Sequence, residues 1–347
     1  MNVVLRYRNS TSVMPLRLAL LPEVYSWHAI GGPEQAEIRA AGGKQDLWEC
    51  LETLRCPVEI YDRLGRCVWW GYVHEVEIDT GTHKISVSLD TMANRLAGIY
   101  GGGYLTAWSD DLPSQSEYGI KEILLSVNET VSTLPEQQVA MALAEKRYPL
   151  AAHRDGHGLE ARLLCRGWWQ TLGWRYFATT KTASAATTAQ IATIIAAKGA
   201  WLTATDIVDA SGVTCSQYRE GHETAQAIIE RFLAAGVSGG RRLLSSVTQA
   251  RRARIYQEPA KGASDYSMDA RGRLFDQYAA PVPLQTCPVG VWVLLRDLLP
   301  SSVDTTRLTD AGRYFLERSE YEVSTGRLTR EPRGEQSPWE VVEVEEG

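Results

Sequence analysis

Residues 56–89, CPVEIYDRLGRCVWWGYVHEVEIDTGTHKISVSL, contain three runs of strand-forming residues separated by two short polar turns. The turns DRLG and DTGT each carry an Asp and a Gly, residue types that tolerate the positive φ of a tight hairpin. In the third run, KISVSL, apolar and polar residues alternate, so one face of that strand is buried. The stretch predicts an antiparallel β-meander, in which Gly71 marks a bulge or a barrel corner of the middle strand.

The rest of the chain divides around this meander into modules of different composition. We predict an α+β protein with two small β-barrel-like modules, intervening helices and a helical α/β lobe. The predicted modules are an N-terminal β-barrel module (1–100), a helical connector (101–158), returning aromatic-rich strands (159–185), a helical lobe (186–240) and a C-terminal β module with an acidic tail (241–347).

Local signals place elements inside these modules. The capping-box pattern SQSE at residues 114–117 predicts a helix that runs to about Val127, and a second helix is predicted over 134–147. The aromatic stretch WWQTLGWRYF, residues 168–177, predicts strands that lie on a core. In the lobe, TCSQ at 214–217 predicts the start of a long amphipathic helix.

Aromatic composition and charge narrow the classes of function. The chain has 11 Trp and 15 Tyr against 4 Phe. Because Trp and Tyr combine a large apolar ring with one polar group, this choice suits protein interfaces and sugar-stacking sites. A net charge of -6 and the acidic end EVVEVEE (340–346) argue against a nucleic-acid-coating protein, which needs a basic face. We expect no sequence-specific nucleic acid as a partner.

One basic stretch departs from this acidic balance. It holds five arginines with no acid between them. They are Arg241, Arg242, Arg251, Arg252 and Arg254. Such runs are more often a solvated face or a subunit contact than a phosphate-binding site, so we treat the stretch as a candidate contact surface.

The cysteines and apolar runs predict a reduced setting without a membrane anchor. Six cysteines are scattered without a CxxC pair, which argues against a zinc ribbon or a thioredoxin-type motif. The N-terminal run MPLRLALL (14–21) is short and is broken by Pro15 and Arg17, so it is not a secretory or membrane segment. We therefore expect neither an export signal nor an anchor.

Catalytic, cofactor and metal signatures are missing from the sequence. No GxGxxG or GxxxxGK[ST] occurs. In the pair His153-x-x-x-His157, Arg154 intervenes and Gly156 and Gly158 flank His157, which argues against a metal site on a helix face. We predict no catalytic, cofactor-binding or metal-binding residue. A glycosidase, however, needs only two carboxylates across a cleft, and no spacing rule excludes that pair.

Several patches together resemble the hub proteins of phage tails and related contractile injection machines. They are WWGYV (69–73) in an early barrel, SVSLD (86–90) closing it, SEYGIKE (116–122), the lobe over 211–225 and PVGVWV (288–293). The resemblance covers most of the chain as loosely spaced patches.

The resemblance implies a structural component of the virion tail that is made in the host cytoplasm. It implies two barrel-like domains assembled as a ring, commonly a trimer, that joins the tail tube to the tip or spike. The implied partners are copies of the chain itself, a tail tube or distal tail protein, a tip or spike protein and a tape-measure protein. No catalytic residue is implied.

Two alternatives remain open from the sequence. They are another tail ring or adaptor protein, and a glycan-binding module or glycoside hydrolase. For the hub hypothesis, the candidate subunit-interface residues are Trp69, Trp70, Arg251, Arg252 and Arg254. Because side chains alternate across a strand, we expect one of the two tryptophans to enter the core and the other to face outward.

Overall fold

The computed structural model describes most of the 347-residue chain. The described residues are 1–8, 11–128, 133–177, 181–199, 201–208, 213–219, 222–237, 241–262, 265–269, 271–295 and 313–333. The acidic end at 340–346 lies outside them. The helices are α1 (Leu112–Tyr118), α2 (Thr133–Lys146), α3 (Thr187–Lys198) and α4 (Ala225–Ala235), with 3-10 helices η1 (Asp46–Thr53), η2 (Leu89–Thr91), η3 (Trp168–Trp174) and η4 (Leu284–Thr286).

The strands fall along the whole described chain. They are β1 (Asn2–Leu5), β2 (Ala19–His28), β3 (Gly32–Ala41), β4 (Pro57–Tyr61), β5 (Cys67–Thr80), β6 (His83–Ser88), β7 (Arg95–Tyr100), β8 (Tyr104–Leu105), β9 (Ser109–Asp110), β10 (Glu122–Ser126), β11 (Ala151–Asp155), β12 (Leu159–Arg166), β13 (Tyr176–Phe177), β14 (Lys181–Ala186), β15 (Ala204–Ile207), β16 (Thr214–Arg219), β17 (Glu223–Thr224), β18 (Leu243–Val247), β19 (Arg252–Gln257), β20 (Tyr266–Met268), β21 (Leu274–Phe275), β22 (Val291–Leu295), β23 (Arg313–Glu322) and β24 (Arg327–Pro332).

A 13-stranded sheet organises this sheet-rich α+β fold. Its main order is β1-β4-β5-β12-β3-β2-β23-β22-β20-β21, with β6, β11 and β24 paired at its sides. Strands β1 and β2 contact each other although four strands separate them in this order, so the sheet curls into a half-barrel. Strands of both predicted β modules belong to this one sheet, which the antiparallel pair β2–β23 joins.

The predicted meander is present as β4, β5 and β6, paired antiparallel in sequence order. Of the two roles predicted for Gly71, the bulge is wrong, because Gly71 lies in register opposite Val58; the barrel corner stays a prediction. The register shifts instead at Val68 against β4 and at His74 against β12. A glycine is required at 71 for another reason: a Cβ there would lie 2.2 Å from the Arg166 carbonyl oxygen.

Replacing Gly71 with Ala is expected to lower the free energy of unfolding by about 2–3 kcal/mol, because the new methyl group must displace strand backbone. Its Cβ would also lie 2.6 Å from the Trp69 ring. Gly43→Ala is the control, because its Cβ meets only the flexible carboxylate of Asp46, and we expect a loss within about 0.5 kcal/mol. Chemical denaturation measures both. Equal losses would contradict this account of Gly71.

Strand β12 comes from a distant part of the chain and completes the N-terminal half of the sheet. It runs antiparallel to both β3 and β5, so that Leu163 lies opposite Ile38 on one side and Val76 on the other. All three side chains are fully buried. The main hydrophobic core therefore depends on a strand that begins about 70 residues after the end of the meander.

The helix predicted from residue 114 to Val127 is present as α1, which starts earlier and is shorter than predicted. Helix α1 is capped by Asp111, whose carboxylate accepts a hydrogen bond from the Ser114 N–H at 2.9 Å. Gly119, with φ of 84°, follows its last residue. The following residues form β10, which pairs parallel with β7. The second predicted helix, 134–147, is present as α2.

The strand predicted over residues 168–177 is wrong for most of its length. Residues Trp168–Trp174 form the 3-10 helix η3, in which the Trp168 carbonyl accepts a hydrogen bond from the Thr171 hydroxyl at 2.7 Å. Its tryptophans are buried, so the aromatic stretch does belong to the core. High aromatic content signals burial, and burial alone does not select a strand.

The helix predicted to start at residues 214–217 is also wrong, because these residues belong to β16, which pairs with β14. The helix α4 begins later, where the Thr224 hydroxyl accepts a hydrogen bond from the Ala227 N–H at 3.2 Å. Gly236, with φ of 70°, follows it. Within the described ranges, no helix combines the length and apolarity needed to cross a membrane.

Candidate functional site

The two tryptophans of the WWGYV motif have different environments. Trp69 is fully buried, and its indole N–H donates to the Ser26 carbonyl at 3.2 Å. Trp70 is half-buried; its indole N–H donates to the Val247 carbonyl at 2.9 Å. Its ring packs edge-on against Trp27, with centroids 5.0 Å apart. Trp69 is therefore the residue that enters the core, and Trp70 is the one that retains accessible surface.

The first two arginines of the basic stretch differ, because Arg242 is neutralised inside the fold and Arg241 is exposed. Arg242 lies between Glu258, at 3.0 Å from its Nε, and Glu317, which its Nη2 contacts. Arg241 donates from Nη1 to the Glu258 carbonyl at 3.2 Å. These contacts join residues that are 16 to 75 positions apart, so the ion pairs cannot be read from the sequence. Arg242 is consequently part of the fold's internal charge network.

The remaining arginines of the stretch lie at the other end of the β18–β19 hairpin. Arg252 and Arg254 are exposed on β19, and Arg252 forms an ion pair of 3.5 Å with Asp206. Both partners of that pair are about half exposed, so it contributes little to stability. Arg251 lies in the turn before β19, and its backbone, unlike that of Arg252 and Arg254, has a positive φ. The five arginines thus form three environments.

The turn after β18 brings Arg251 to the same cleft as Trp70. The Arg251 N–H donates to the Thr248 carbonyl at 2.8 Å, which closes a four-residue turn, and Thr203 anchors that turn by donating to the Arg251 carbonyl at 2.8 Å. The cleft has a volume of about 500 Å³. Its lining includes Arg6, Glu59, Trp70, Trp168, Gln249 and Arg251, and we call it the Arg251 cleft.

Arg251 is held in a conformation that few residues adopt. Its φ is 60°, in the left-handed region that disfavours side chains with a Cβ. Its guanidinium lies over the Trp168 ring, 5.3 Å from the centroid. Among the described residues no carboxylate lies within ion-pair distance of it. Desolvation lowers the pKa of Arg251 from its ordinary value.

A hydrogen-bond network centred on Glu59 forms the opposite wall of the cleft. Its Oε2 accepts from Arg6 Nη2 and from the Tyr61 hydroxyl, each at 2.9 Å, and its Oε1 accepts from Gln249 Nε2 at 3.0 Å. Burial alone would raise the pKa of Glu59, but these three donors outweigh burial and lower it. The charges of Arg6 and Glu59 cancel, so the cleft has a net positive charge, which comes from Arg251.

This arrangement suits recognition better than acid–base catalysis. Glu59 is the one carboxylate among the described lining residues, and its lowered pKa keeps it ionised. A glycoside hydrolase needs a second carboxylate, one of the two being held protonated. What the cleft offers is a planar guanidinium donor, an aromatic wall and a network of fixed polar groups.

The histidines that the sequence analysis weighed as metal ligands lie apart from this cleft. His153 Nε2 lies 3.0 Å from His83 Nδ1 across the β6–β11 pair. The backbone N–H of His157 instead donates to Asp79 at 2.9 Å. Within the part of the chain that the structure describes, no group of three or more His, Cys, Asp or Glu side chains is placed to hold a metal ion.

Trp70 and Arg251, two of the candidate subunit-interface residues, lie in the same cleft, but the sequence did not predict the residues of its other walls. Trp168 was predicted to lie in a core strand. Its contact with the Arg251 guanidinium has no local signal in the sequence, because the two residues are 83 positions apart. Glu59 and Gln249 carry no motif. The only local signal was the turn between β18 and β19, and a turn does not specify which strand it faces.

Comparison with known proteins gives structural similarity without sequence similarity. No protein-family profile and no curated protein sequence matches the chain. A type VI secretion system component of E. coli, described as structurally similar to bacteriophage T4 tail proteins, is 9% identical with a TM-score of 0.44, covering 97% of this chain and 78% of its own. This chain is similar to phage tail and injection-machine proteins.

Two prophage proteins extend this similarity. A prophage tail protein of Listeria monocytogenes EGD-e is 10% identical with a TM-score of 0.44, and the match covers 98% of this chain and 97% of that one. The 43 kDa tail protein of prophage MuSo2 from Shewanella oneidensis is 9% identical with a TM-score of 0.43, with 94% of each chain covered.

Proposed function

We propose that this chain is a structural component of a phage tail or tail-like particle, a ring-forming hub that joins the tail tube to the tip or spike. The observation that carries the proposal is the continuity of the large sheet. The patches WWGYV (69–73) and PVGVWV (288–293), more than 200 residues apart, lie on or beside β5 and β22 of this one sheet. Two of the patches that carry the hub resemblance therefore belong to one sheet.

The curled sheet supplies surfaces suited to ring closure. In the proposal its two halves act as two barrel-like modules, joined at the β2–β23 pair. Strand β11 pairs only with β6 within the described chain, and all five of its residues are exposed. An exposed strand edge can pair with a neighbouring subunit, and a repeated heterologous contact that closes gives a ring.

The proposed partners follow from this position in the particle. Copies of the chain would form the ring, with a trimer as the expected copy number. On its two faces the ring would contact a tail tube or distal tail protein, a tip or spike protein and the tape-measure protein. Trp70, Arg251, Arg252 and Arg254, which retain accessible surface, are the proposed contact residues; Trp69 contributes to the fold beneath them.

Light scattering on the purified chain tests the proposal. At micromolar concentration we expect a mass that is a multiple of 38.5 kDa, with a stable plateau as concentration rises, because a closed ring has no free interface for further growth. A mass of 38.5 kDa at every concentration, together with absence of the chain from tail particles, would sink the hub proposal.

Replacing Arg251, Arg252 and Arg254 with Gln is expected to weaken assembly by at least about tenfold, because complementary charges at an interface stabilise the complex. Thermal unfolding should shift by no more than about 2 °C, since no described carboxylate pairs with Arg251 and the Arg252 pair is exposed. Light scattering over a dilution series and a melting curve measure the two effects.

A variant with the same loss of charge elsewhere is the control for this experiment. It replaces exposed arginines in three turns or strand ends, Arg63, Arg271 and Arg327. We expect it to assemble as the parent does. If the variant with Gln at 251, 252 and 254 instead melts several degrees earlier and assembles normally, the basic stretch acts within one chain.

A further inference from the structure

Arg251 has the features of a residue built to meet a ligand. Its backbone adopts a conformation that a glycine or asparagine would adopt more easily, and two hydrogen bonds from Thr203 to the turn hold it there. Strained residues of this kind cluster at binding sites, where the surrounding structure maintains them. The guanidinium rests on Trp168 at the mouth of the Arg251 cleft, with no carboxylate partner among the described residues.

The charges around the cleft favour an anion. Arg6 and Glu59 form an ion pair of 2.9 Å, so they add no net charge. Behind the cleft, Arg55 is buried against the Trp201 ring, and burial followed by repulsion from Arg8 and Arg251 lowers its pKa to about 9. A carboxylate placed against Arg251 would complete a charge-assisted hydrogen bond and would reduce this repulsion.

The chain itself contains a segment of matching chemistry. Residues 334–347, GEQSPWEVVEVEEG, lie outside the described residues and carry five Glu with no Lys or Arg. The segment also contains Trp339, which one residue separates from Val341 and Val342. A segment that combines carboxylates with an indole ring matches a cleft that combines a guanidinium with the half-buried ring of Trp70.

We propose that the Arg251 cleft of one copy binds the acidic segment 334–347 of a second copy, with a glutamate carboxylate accepting hydrogen bonds from Arg251 and an apolar side chain against Trp70. This inference rests on the proposed function, because it identifies one contact by which copies of the chain close a ring. The contact is heterologous: each copy gives its segment to one neighbour and receives a segment from the other.

Peptide binding tests the cleft directly. The probe is a fluorescein-labelled peptide of residues 334–347, and the receptor is the full chain in which Glu340, Glu343, Glu345 and Glu346 are replaced by Gln, called the tail-neutral variant. We expect saturable binding by fluorescence anisotropy. Adding Arg251→Gln should weaken binding about tenfold, the loss typical of one charge-assisted pair. A peptide with Gln in place of all five Glu should not bind.

Two further receptors control for charge and folding. Arg254→Gln removes an exposed arginine of the same hairpin and should leave peptide affinity unchanged. Arg251→Lys keeps the charge but loses the planar donor, so its affinity should lie between those of the parent and the Gln variant, and it serves if Arg251→Gln does not fold. Equal peptide affinity of the Arg251→Gln, Arg251→Lys and Arg254→Gln receptors would overturn the assignment of the cleft.

A mixing experiment tests whether the segment comes from a second copy. Arg251→Gln has an intact segment and a defective cleft, whereas the tail-neutral variant has the reverse. We expect each alone to show a smaller mass by light scattering than the parent, and the mixture to form a two-copy species through its one complementary contact. If both variants assemble as fully as the parent, the inference is wrong while the ring-hub function stands.

The remaining outcome concerns binding within one chain. If the peptide binds the tail-neutral variant but the parent and the mixture both stay at 38.5 kDa, the segment docks on its own chain. That result would overturn the second-copy proposal and would count against the ring as well. The two failures are therefore distinguishable by the mass of the parent alone.

Discussion

Glu122→Ala is expected to lower the free energy of unfolding by about 3–5 kcal/mol, because it leaves the largely buried cations Arg175 and Lys198 without the carboxylate that pairs with them in the described structure. The Glu122 side chain is fully buried and lies 3.4 Å from Arg95 Nη1, 3.2 Å from Arg175 Nε and 3.4 Å from Lys198 Nζ. It also accepts a hydrogen bond from the Tyr176 N–H at 2.6 Å. One carboxylate therefore ties β10 to β7, to the end of η3 and to α3.

The matched control is an exposed carboxylate in a charge cluster of similar size. Glu331 pairs with Arg318, which Glu34 and Glu320 also contact. Glu331→Ala should cost less than about 1 kcal/mol, since the pair is solvated and Arg318 keeps its other partners. Chemical denaturation measures both variants. Similar losses for the two would show that Glu122 does not connect the helical and sheet regions as described.

Trp69→Ala is expected to cost about 3–5 kcal/mol, because it removes a fully buried indole and leaves a cavity in the main core. It also leaves the Ser26 carbonyl without the donor that now lies 3.2 Å away. Trp69→Phe should recover most of this loss, since it restores the ring but not the hydrogen bond. Denaturation curves for the two variants separate the packing contribution from the hydrogen-bond contribution.

Trp70 provides the comparison for this prediction. Its ring is half-buried and forms one hydrogen bond to Val247, so Trp70→Ala should cost only about 1–2 kcal/mol. Its main effect is expected on assembly. If Trp70→Ala destabilises the chain as much as Trp69→Ala while assembly is unchanged, the proposed division of roles within the motif is incorrect.

The parts of the fold that the sequence predicts are those with local causes. The meander β4–β6 is set by its turn residues and by alternation within one stretch of about 30 residues. Helix α2 likewise has its start signal beside it in the sequence. Two helix boundaries were wrong because a second local signal decided them, namely Asp111 for α1 and Thr224 for α4.

The parts that the sequence does not predict depend on distant pairing. Nothing in residues 159–166 indicates that β12 lies between β5 and β3. In the same way, the basic stretch contains no sign that Arg242 meets Glu258 and Glu317 while Arg251 meets Trp168. A run of like charges predicts a surface, but only the tertiary structure shows which of its members are neutralised.

The most direct test of the hub proposal is to locate the chain in an assembled tail. A short peptide tag inserted between Gly102 and Gly103, in an exposed turn after β7, marks each copy for electron cryomicroscopy of purified particles. The hub proposal predicts symmetric tag density around the axis where the tail tube meets the tip. Particles with complete tails and no tag density at that junction would contradict it.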